Sequence, residues 1–165
     1  MWDFVSRSVC QTLAGHESSV YSVDCARNNR EIATGSGDCT VRLWNIRWGR
    51  ISQIFTINDG VTSVVISPDG RFVAAGSLNC NIYIWDLRSG YIIQRLSGVN
   101  GHRDGVYGLS FALNGQILIS ASLDRTLKLW ELPTVDNRGI PHSKTSDRDG
   151  DCFRTLEGHK VRNTL

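Results

Sequence analysis

The sequence predicts an all-β fold made of three copies of a four-stranded unit, and two observations support this prediction. Three segments run from a valine to a tryptophan over the same 24 positions, and their tryptophans recur after 41 and then 45 residues. These segments are Val20–Trp44, Val61–Trp85 and Val106–Trp130. Within them, apolar and polar residues alternate with the period of a β-strand, and no apolar period of helical length is present.

Each unit is predicted to form four short antiparallel strands joined by tight turns. Nine residues after the starting valine comes a residue that accepts positive φ: Asn29, Gly70 and Gly115. The predicted strands lie near residues 20–25, 31–36, 41–45 and 51–56, near 61–66, 72–76, 82–86 and 91–96, and near 106–111, 117–121, 127–131 and 152–156.

The composition is that of a folded domain. Hydrophobic residues make up 41%, charged residues 21%, and the net charge of +2 excludes a strongly basic nucleic-acid arm. No apolar run approaches the roughly 18 residues of a membrane span. The five cysteines are scattered, without a Cys-x-x-Cys pair, so we expect no disulfide framework, no metal site and a reducing intracellular compartment. No phosphate-binding loop occurs in the sequence, and we expect no cofactor. The excess of arginine over lysine favours a contact surface.

Dipeptides at the borders of the units resemble those of a known family. They are Gly15-His16 with Trp44-Asn45, then Trp85-Asp86, then Gly101-His102 with Trp130-Glu131. These pairs resemble the Gly-His…Trp-Asp signature of WD-repeat β-propellers. The resemblance implies a partial propeller, with complete blades at 14–57, 58–97 and 98–157, the end of a preceding blade at 1–13 and the start of a truncated one at 158–165.

A propeller closes its ring with some four to eight blades. Three complete blades correspond to roughly half of a seven-bladed ring. We therefore expect the two outer blades to expose apolar faces and the chain to form oligomers or aggregates.

Two of the three units share four polar residues at the same offsets. These residues are His16, Thr34, Asp38 and Trp44 in the first unit and His102, Ser120, Asp124 and Trp130 in the third. In WD-repeat proteins a matching tetrad is a structural hydrogen-bond chain, and the donors and acceptors suit that role. The middle unit has Ile57, Ala75 and Asn79 instead, so we expect it to depend on apolar packing and to have softer upper loops.

The sequence of the middle unit indicates which group of WD-repeat proteins the chain resembles. The run Asp59-Gly60-Val61-Thr62, without a preceding Gly-His, and the following unit are similar to two neighbouring blades of the fungal Tup-type general transcriptional corepressors, although Asn79-Cys80-Asn81 departs from that pattern. The resemblance implies a nuclear, non-enzymatic interaction module that binds sequence-specific repressors and histone tails. The residues themselves lack a basic helix or clustered basic stripe, an apolar run of membrane length and a phosphate-binding loop, so we expect no direct contact with nucleic acid, a membrane or a small-molecule substrate. The family's N-terminal region, which binds a tetratricopeptide-repeat subunit, is not matched here.

The resemblance also implies a partner-binding upper rim. In WD-repeat proteins such rims use the residues three and five after the Gly-His histidine and the residue before the tetrad aspartate. The predicted rim residues are Ser19, Tyr21, Thr62, Leu78, Gly105, Tyr107 and Leu123, with Gly37 and Gly60 at matching positions. The alternative is that Tyr21 and Tyr107 only cover the tops of the blade cores.

A polar segment at 132–151 interrupts the last unit. It contains Pro133 and Pro141 and is predicted to be a mobile loop on the lower face, where Ser143, Thr145 and Ser146 are candidates for phosphorylation.

Two other functions remain as alternatives. One is a scaffold or substrate receptor of another nuclear or cytoplasmic complex, such as a ubiquitin ligase or a splicing assembly. The other is a hydrolase that uses His102 and Ser120, which we disfavour because a nucleophile needs a cleft and an oxyanion hole and would not recur unit by unit.

Overall fold

The computed structural model describes residues 1–3, 5–132 and 152–157. Within this part of the chain it contains fourteen strands and a 3₁₀ turn at Leu113–Gly115, and none of its helices is long and apolar enough to cross a membrane. The strands are β1 Trp2–Asp3, β2 Ser8–Val9, β3 Val20–Cys25, β4 Glu31–Ser36, β5 Thr40–Asn45, β6 Arg50–Thr56, β7 Val61–Ile66, β8 Phe72–Ser77, β9 Ile82–Asp86, β10 Ile92–Leu96, β11 Val106–Ala112, β12 Ile117–Ser122, β13 Thr126–Glu131 and β14 Cys152–Glu157.

Twelve of these strands form three four-stranded antiparallel sheets, each from consecutive strands. The first sheet is β3–β6, the second is β7–β10 and the third is β11–β14, while β1 and β2 form a separate pair. Each of the twelve strands begins and ends within one residue of its predicted bounds. The all-β prediction is therefore confirmed.

The turn between the first and second strands of each sheet has the backbone conformation that the sequence predicts. Asn29, Gly70 and Gly115 have φ of 54°, 70° and 92°, as their residue types predict. These turns, together with the β5–β6 and β9–β10 turns, lie at one end of the sheets, which we call the lower edge. The β4–β5, β8–β9 and β12–β13 turns lie at the opposite end, the upper edge.

The sheets pack through their first strands. β7 of the second sheet packs against β3 and β4, and β11 of the third sheet packs against β7 and β8. Polar side chains also link the sheets, because Ser22 Oγ accepts the N–H of Val64 at 3.0 Å and Asp24 Oδ2 accepts that of Ile66 at 2.7 Å. These two N–H groups of β7 are thus satisfied by the neighbouring sheet.

Burial differs between the middle and the outer sheets. Val61 and Val64 of β7 are buried between two sheets, whereas Val20 and Val23 of β3 are exposed. Phe153 of β14 is also exposed. In the described part of the chain, the first and third sheets thus have apolar side chains on their exposed surfaces.

Several predictions fall on residues outside the described ranges. They concern the insertion beyond Leu132, the phosphorylation candidates Ser143, Thr145 and Ser146, and the segment 158–165.

Candidate functional site: the tetrads and the upper rim

The predicted tetrad of the third sheet is one hydrogen-bonded chain. His102 Nδ1 lies 2.8 Å from Asp124 Oδ2, His102 Nε2 lies 2.7 Å from Ser120 Oγ, and Trp130 Nε1 donates to the same Oγ at 2.8 Å. Because an ionised carboxylate only accepts, the hydrogen-bond pattern assigns the proton to Nδ1, and Nε2 accepts from the serine hydroxyl. The chain connects the loop before β11 to β12 and β13.

The tetrad of the first sheet has the same geometry. His16 lies 2.8 Å from Asp38 and 2.7 Å from Thr34, and Trp44 donates to the Thr34 hydroxyl at 2.8 Å. The identical offsets in sequence thus correspond to identical contacts in space.

The tetrad aspartates have further partners that the sequence argument missed. Thr40 donates its hydroxyl to Asp38 at 2.6 Å, and Thr126 donates to Asp124 at 2.7 Å. A threonine two residues after the aspartate occurs only in the two units that have the tetrad, and Asn81 replaces it in the middle unit. From this correlation, the threonines could have been predicted as partners of the tetrad aspartates.

These contacts determine the charge state of the aspartates. Burial raises the pKa of Asp124, but the hydrogen bonds from the Thr126 hydroxyl, the Arg103 backbone N–H and His102 outweigh it and hold this pKa well below its usual range. The counterparts in the first sheet do the same for Asp38. Both carboxylates are therefore ionised over the whole physiological range.

The pKa of His102 is lowered, which is the direction expected for a buried imidazole. Its side chain is buried, and burial lowers the pKa of the imidazole more than the Asp124 carboxylate raises it. The nearby Lys128 lowers it further. The imidazole is therefore neutral at pH 7, in agreement with its hydrogen bonds.

The second sheet replaces the tetrad with aromatic packing. Trp85 stacks on Tyr83 with ring centroids 5.9 Å apart and on Phe55 of the first sheet at 5.0 Å. Asn79 donates its amide to the Tyr83 hydroxyl at 3.0 Å, and Ile57 is buried where the other sheets have histidine. The apolar packing expected for this unit is thus present.

A second polar link occurs in all three sheets and was not predicted. Ser36, Ser77 and Ser122 each donate a hydroxyl to a carbonyl of the preceding loop, at 3.2, 3.0 and 2.9 Å. Each also accepts a backbone N–H from the following turn. The occurrence of serine at the same position of every unit could have predicted this link.

Most of the predicted rim residues are exposed on the upper edge. Tyr21, Leu78, Tyr107 and Leu123 are 60%, 42%, 51% and 59% exposed, and Ser19 is exposed as well. Glycines let them lie close to the backbone, since a Cβ built on Gly37 would be 3.2 Å from the Tyr21 ring.

The four large side chains lie along one row. A Cβ built on Gly60 would be 3.1 Å from Leu78 and 3.7 Å from the Cα of Gly37, beneath Tyr21. A Cβ on Gly105 would be 3.0 Å from Tyr107 and 3.6 Å from Leu78. Leu123 adjoins the same glycine, since its N–H donates to the carbonyl of Gly105 at 3.1 Å. The row therefore crosses from the first sheet to the third.

The structure differs from the rim prediction at Thr62 and Gly105, which are both buried. The Thr62 hydroxyl lies within hydrogen-bond distance of the carbonyl oxygens of Gly76 and Val106. It thus links the second sheet to the third, although its position in the unit matches that of the exposed Tyr21. Gly105 is covered by Tyr107 and Leu78.

Comparison with known proteins agrees with this architecture. The family model described as WD domain, G-beta repeat matches residues 7–45, 49–86 and 93–131. The transcriptional repressor rco-1 of Neurospora crassa is 49% identical over 160 residues, which are 97% of this chain and 26% of the repressor. Eukaryotic translation initiation factor 3 subunit I of Aspergillus fumigatus is 39% identical over 58 residues, 35% of this chain and 17% of that protein.

Solved structures show the same fold. The WD40 repeats of RRP9 superimpose with a TM-score of 0.74 at 26% identity, over 91% of this chain and 42% of theirs. The chain spans about a quarter of the length of the Neurospora repressor. Because the family model matches all three units, and each unit is a four-stranded antiparallel sheet, the chain belongs to the WD-repeat family.

Proposed function

We propose that the chain is a protein-interaction module of a transcriptional corepressor and that its upper rim binds partner proteins. The row of exposed aromatic and aliphatic side chains formed by Tyr21, Leu78, Tyr107 and Leu123 is the observation that supports this most directly. Tyrosine is a favoured anchor in protein interfaces because its large ring loses little entropy on binding.

The two tetrads support the rim by holding its loops. Each connects the loop before the first strand of a sheet to its second and third strands, and the serine links add a second contact in every sheet. A rim on fixed loops loses less entropy when a partner binds. The proposed role of the tetrads is therefore structural.

The proposed partners follow from the relative that matches nearly the whole chain. That protein is a transcriptional repressor, and its identity to this chain is 49%. We therefore propose DNA-bound repressors and chromatin proteins, including histone tails, as partners, and the nucleus as the site of action.

The geometry gives no support to a hydrolase. Ser120 is fully buried, and its hydroxyl is already engaged by His102 and Trp130. A nucleophile must contact its substrate, and no substrate atom can reach this oxygen without opening the sheet. The proposed function is therefore non-enzymatic, and a fluorophosphonate serine probe should not label the folded chain.

Photo-crosslinking from the rim tests the proposed function. A benzophenone amino acid is placed at Tyr107, and a second chain carries it at Tyr91, an exposed tyrosine on the lower edge, as a matched control. In nuclear extract we expect DNA-binding repressors or histones to crosslink at position 107 and not at 91.

The same experiment distinguishes the corepressor proposal from the alternative of a scaffold or substrate receptor in another complex. The partial similarity to an initiation-factor subunit shows that such repeats also occur in other assemblies. Components of a ubiquitin ligase or a splicing complex crosslinked at position 107 would replace the corepressor proposal with that of a scaffold or substrate receptor.

A further inference from the structure

The lower edge of the first sheet combines arginines with an exposed tryptophan. Arg30 directly precedes β4, Arg47 and Trp48 lie in the β5–β6 turn, and Arg50 begins β6. Register brings these positions together, because Asn45 pairs with Arg50 and the N–H of Ile46 donates to the carbonyl of Arg30 at 2.9 Å. We call this set, Arg30, Arg47, Trp48 and Arg50, the arginine edge.

Two of its guanidinium groups are held against the indole. The Arg47 guanidinium carbon lies 5.0 Å from the centre of the Trp48 ring, and that of Arg50 lies 6.0 Å from it. Trp48 is 60% exposed, so this aromatic ring supports cations at the surface and is not part of the core. A guanidinium held over an aromatic face keeps N–H groups available to bind an anion.

The arginine edge lacks the acid that the other sheets have. The residue after the tryptophan of β5 is Asn45, whereas its counterparts are Asp86 and Glu131. In the second sheet the Asp86 carboxylate lies 3.8 Å from Arg71, the counterpart of Arg30. Replacement of this acid by asparagine therefore removes the ion pair from the first sheet.

The nearby acids do not compensate. Asp24, at the same end of β3, uses its carboxylate oxygens on the backbone N–H groups of Cys25 and Ile66. Glu31 begins β4 at this edge, and it forms no salt bridge with a described residue. Among the described residues, no salt bridge involves Arg30, Arg47 or Arg50.

We propose that the arginine edge binds a short segment rich in aspartate and glutamate from a partner protein. Guanidinium groups bind carboxylates in a planar, two-point geometry, and the contacts of Arg47 and Arg50 with the Trp48 ring position them in advance. Arg30, Arg47 and Arg50 lie at the ends of three neighbouring strands, which span about 10 Å. This is the length of roughly three residues of an extended peptide.

A nucleic acid fits this edge less well. Single strands bind by stacking bases on exposed aromatic rings along an extended basic groove. Here guanidinium groups lie over the one exposed aromatic ring of the arginine edge, and the second sheet ends in the neutralised Arg71–Asp86 pair. The edge is on the opposite side of the sheets from the rim, so this binding site is independent of the proposed function.

Fluorescence anisotropy with the full chain tests the proposal. The probe is a labelled peptide of about twelve alternating Asp and Glu residues at physiological salt. We expect Arg47→Gln with Arg50→Gln to weaken binding about tenfold, as loss of charge-assisted pairs does. Asn45→Asp should weaken it severalfold, because it introduces the missing acid and keeps the acceptor for the N–H of Trp48 at 3.1 Å.

The matched control is Arg103→Gln with Arg125→Gln, which removes the same charge from the upper edge and should change affinity less than about twofold. An equal loss in this control would show general attraction between charges and overturn the proposal. So would tighter binding of an oligouridylate of the same charge, or no binding of the peptide to the wild-type chain. Unchanged circular dichroism establishes that each variant is folded.

Discussion

Gly35 of the first sheet lies so close to Val61 of the second that a Cβ built on the glycine would be 2.5 Å from Val61 Cγ1. Gly76 has the same relation to Val106 of the third sheet, at 2.8 Å. The absence of a side chain in the second strand of one sheet thus makes room for the first valine of the next.

Replacing Gly35 or Gly76 by alanine should therefore destabilise the chain. Alanine in a strand is ordinarily more stable than glycine by about 0.5–1 kcal/mol, but a methyl group forced into this joint costs about 1–3 kcal/mol. We expect the overpacking to prevail, with a lower urea midpoint. Ala121→Gly, at the corresponding position of the third sheet, is the control for strand propensity. A higher midpoint for Gly35→Ala would show that the joint relaxes freely.

His102→Ala should lower the free energy of unfolding by about 1–3 kcal/mol. It leaves the buried Ser120 hydroxyl and the Asp124 carboxylate without their shared partner, and unsatisfied buried groups cost this much. Urea denaturation measures the change. Arg103→Ala, one residue later and exposed, should change stability by less than about 0.5 kcal/mol. Equal midpoints for the two variants would contradict a structural tetrad.

Repetition made the strands and tetrads predictable, because residues at equal positions of the units have equal local roles. His16 and His102 illustrate this, since their contacts agree in every distance. The position of a residue within its unit does not reveal which residues of the neighbouring sheet contact it. Thr62 was therefore assigned to the rim on the pattern of Tyr21, although its hydroxyl is used in the joint with the third sheet.

Backbone conformation was predictable only where residue type reveals it. Positive φ is predictable at Gly70 and Asn29 because glycine and asparagine accept it readily. It is not predictable at Arg125, where φ is nevertheless 69°. The turn before β13 imposes this conformation, since the N–H of Arg125 donates to the carbonyl of Ser122. A bulky residue there is at odds with its backbone, and only the structure shows it.

Arg125→Gly should raise stability by about 0.5–1 kcal/mol. Glycine adopts the left-handed conformation without the steric cost that a Cβ imposes there, and this gain exceeds the entropy glycine loses on folding. Thermal denaturation measures the change. Arg125→Ala removes the same long side chain and retains the Cβ, so it should give no gain. Equal melting temperatures for the two variants would show that the backbone of this turn is unstrained.

Acidification should destabilise the chain in two separate steps. Burial lowers the pKa of His102 in the folded chain below its value of about 6.5 in the unfolded chain. The unfolded state therefore binds more protons as the pH falls below about 6.5, and stability decreases. The pKa values of Asp38 and Asp124 are also lowered on folding, so their contribution is present above about pH 4 and is lost only below it.

His102→Asn isolates the first of these steps. Urea midpoints at pH 7.5 and pH 5 bracket the histidine transition and lie above that of the aspartates. The wild-type chain should lose more stability between these two pH values than the variant, because asparagine binds no proton in either state. Equal losses would assign the decline to other groups. A smaller loss for the wild-type chain than for the variant would mean that His102 takes up its proton more readily in the folded chain, against the hydrogen-bond pattern with Ser120.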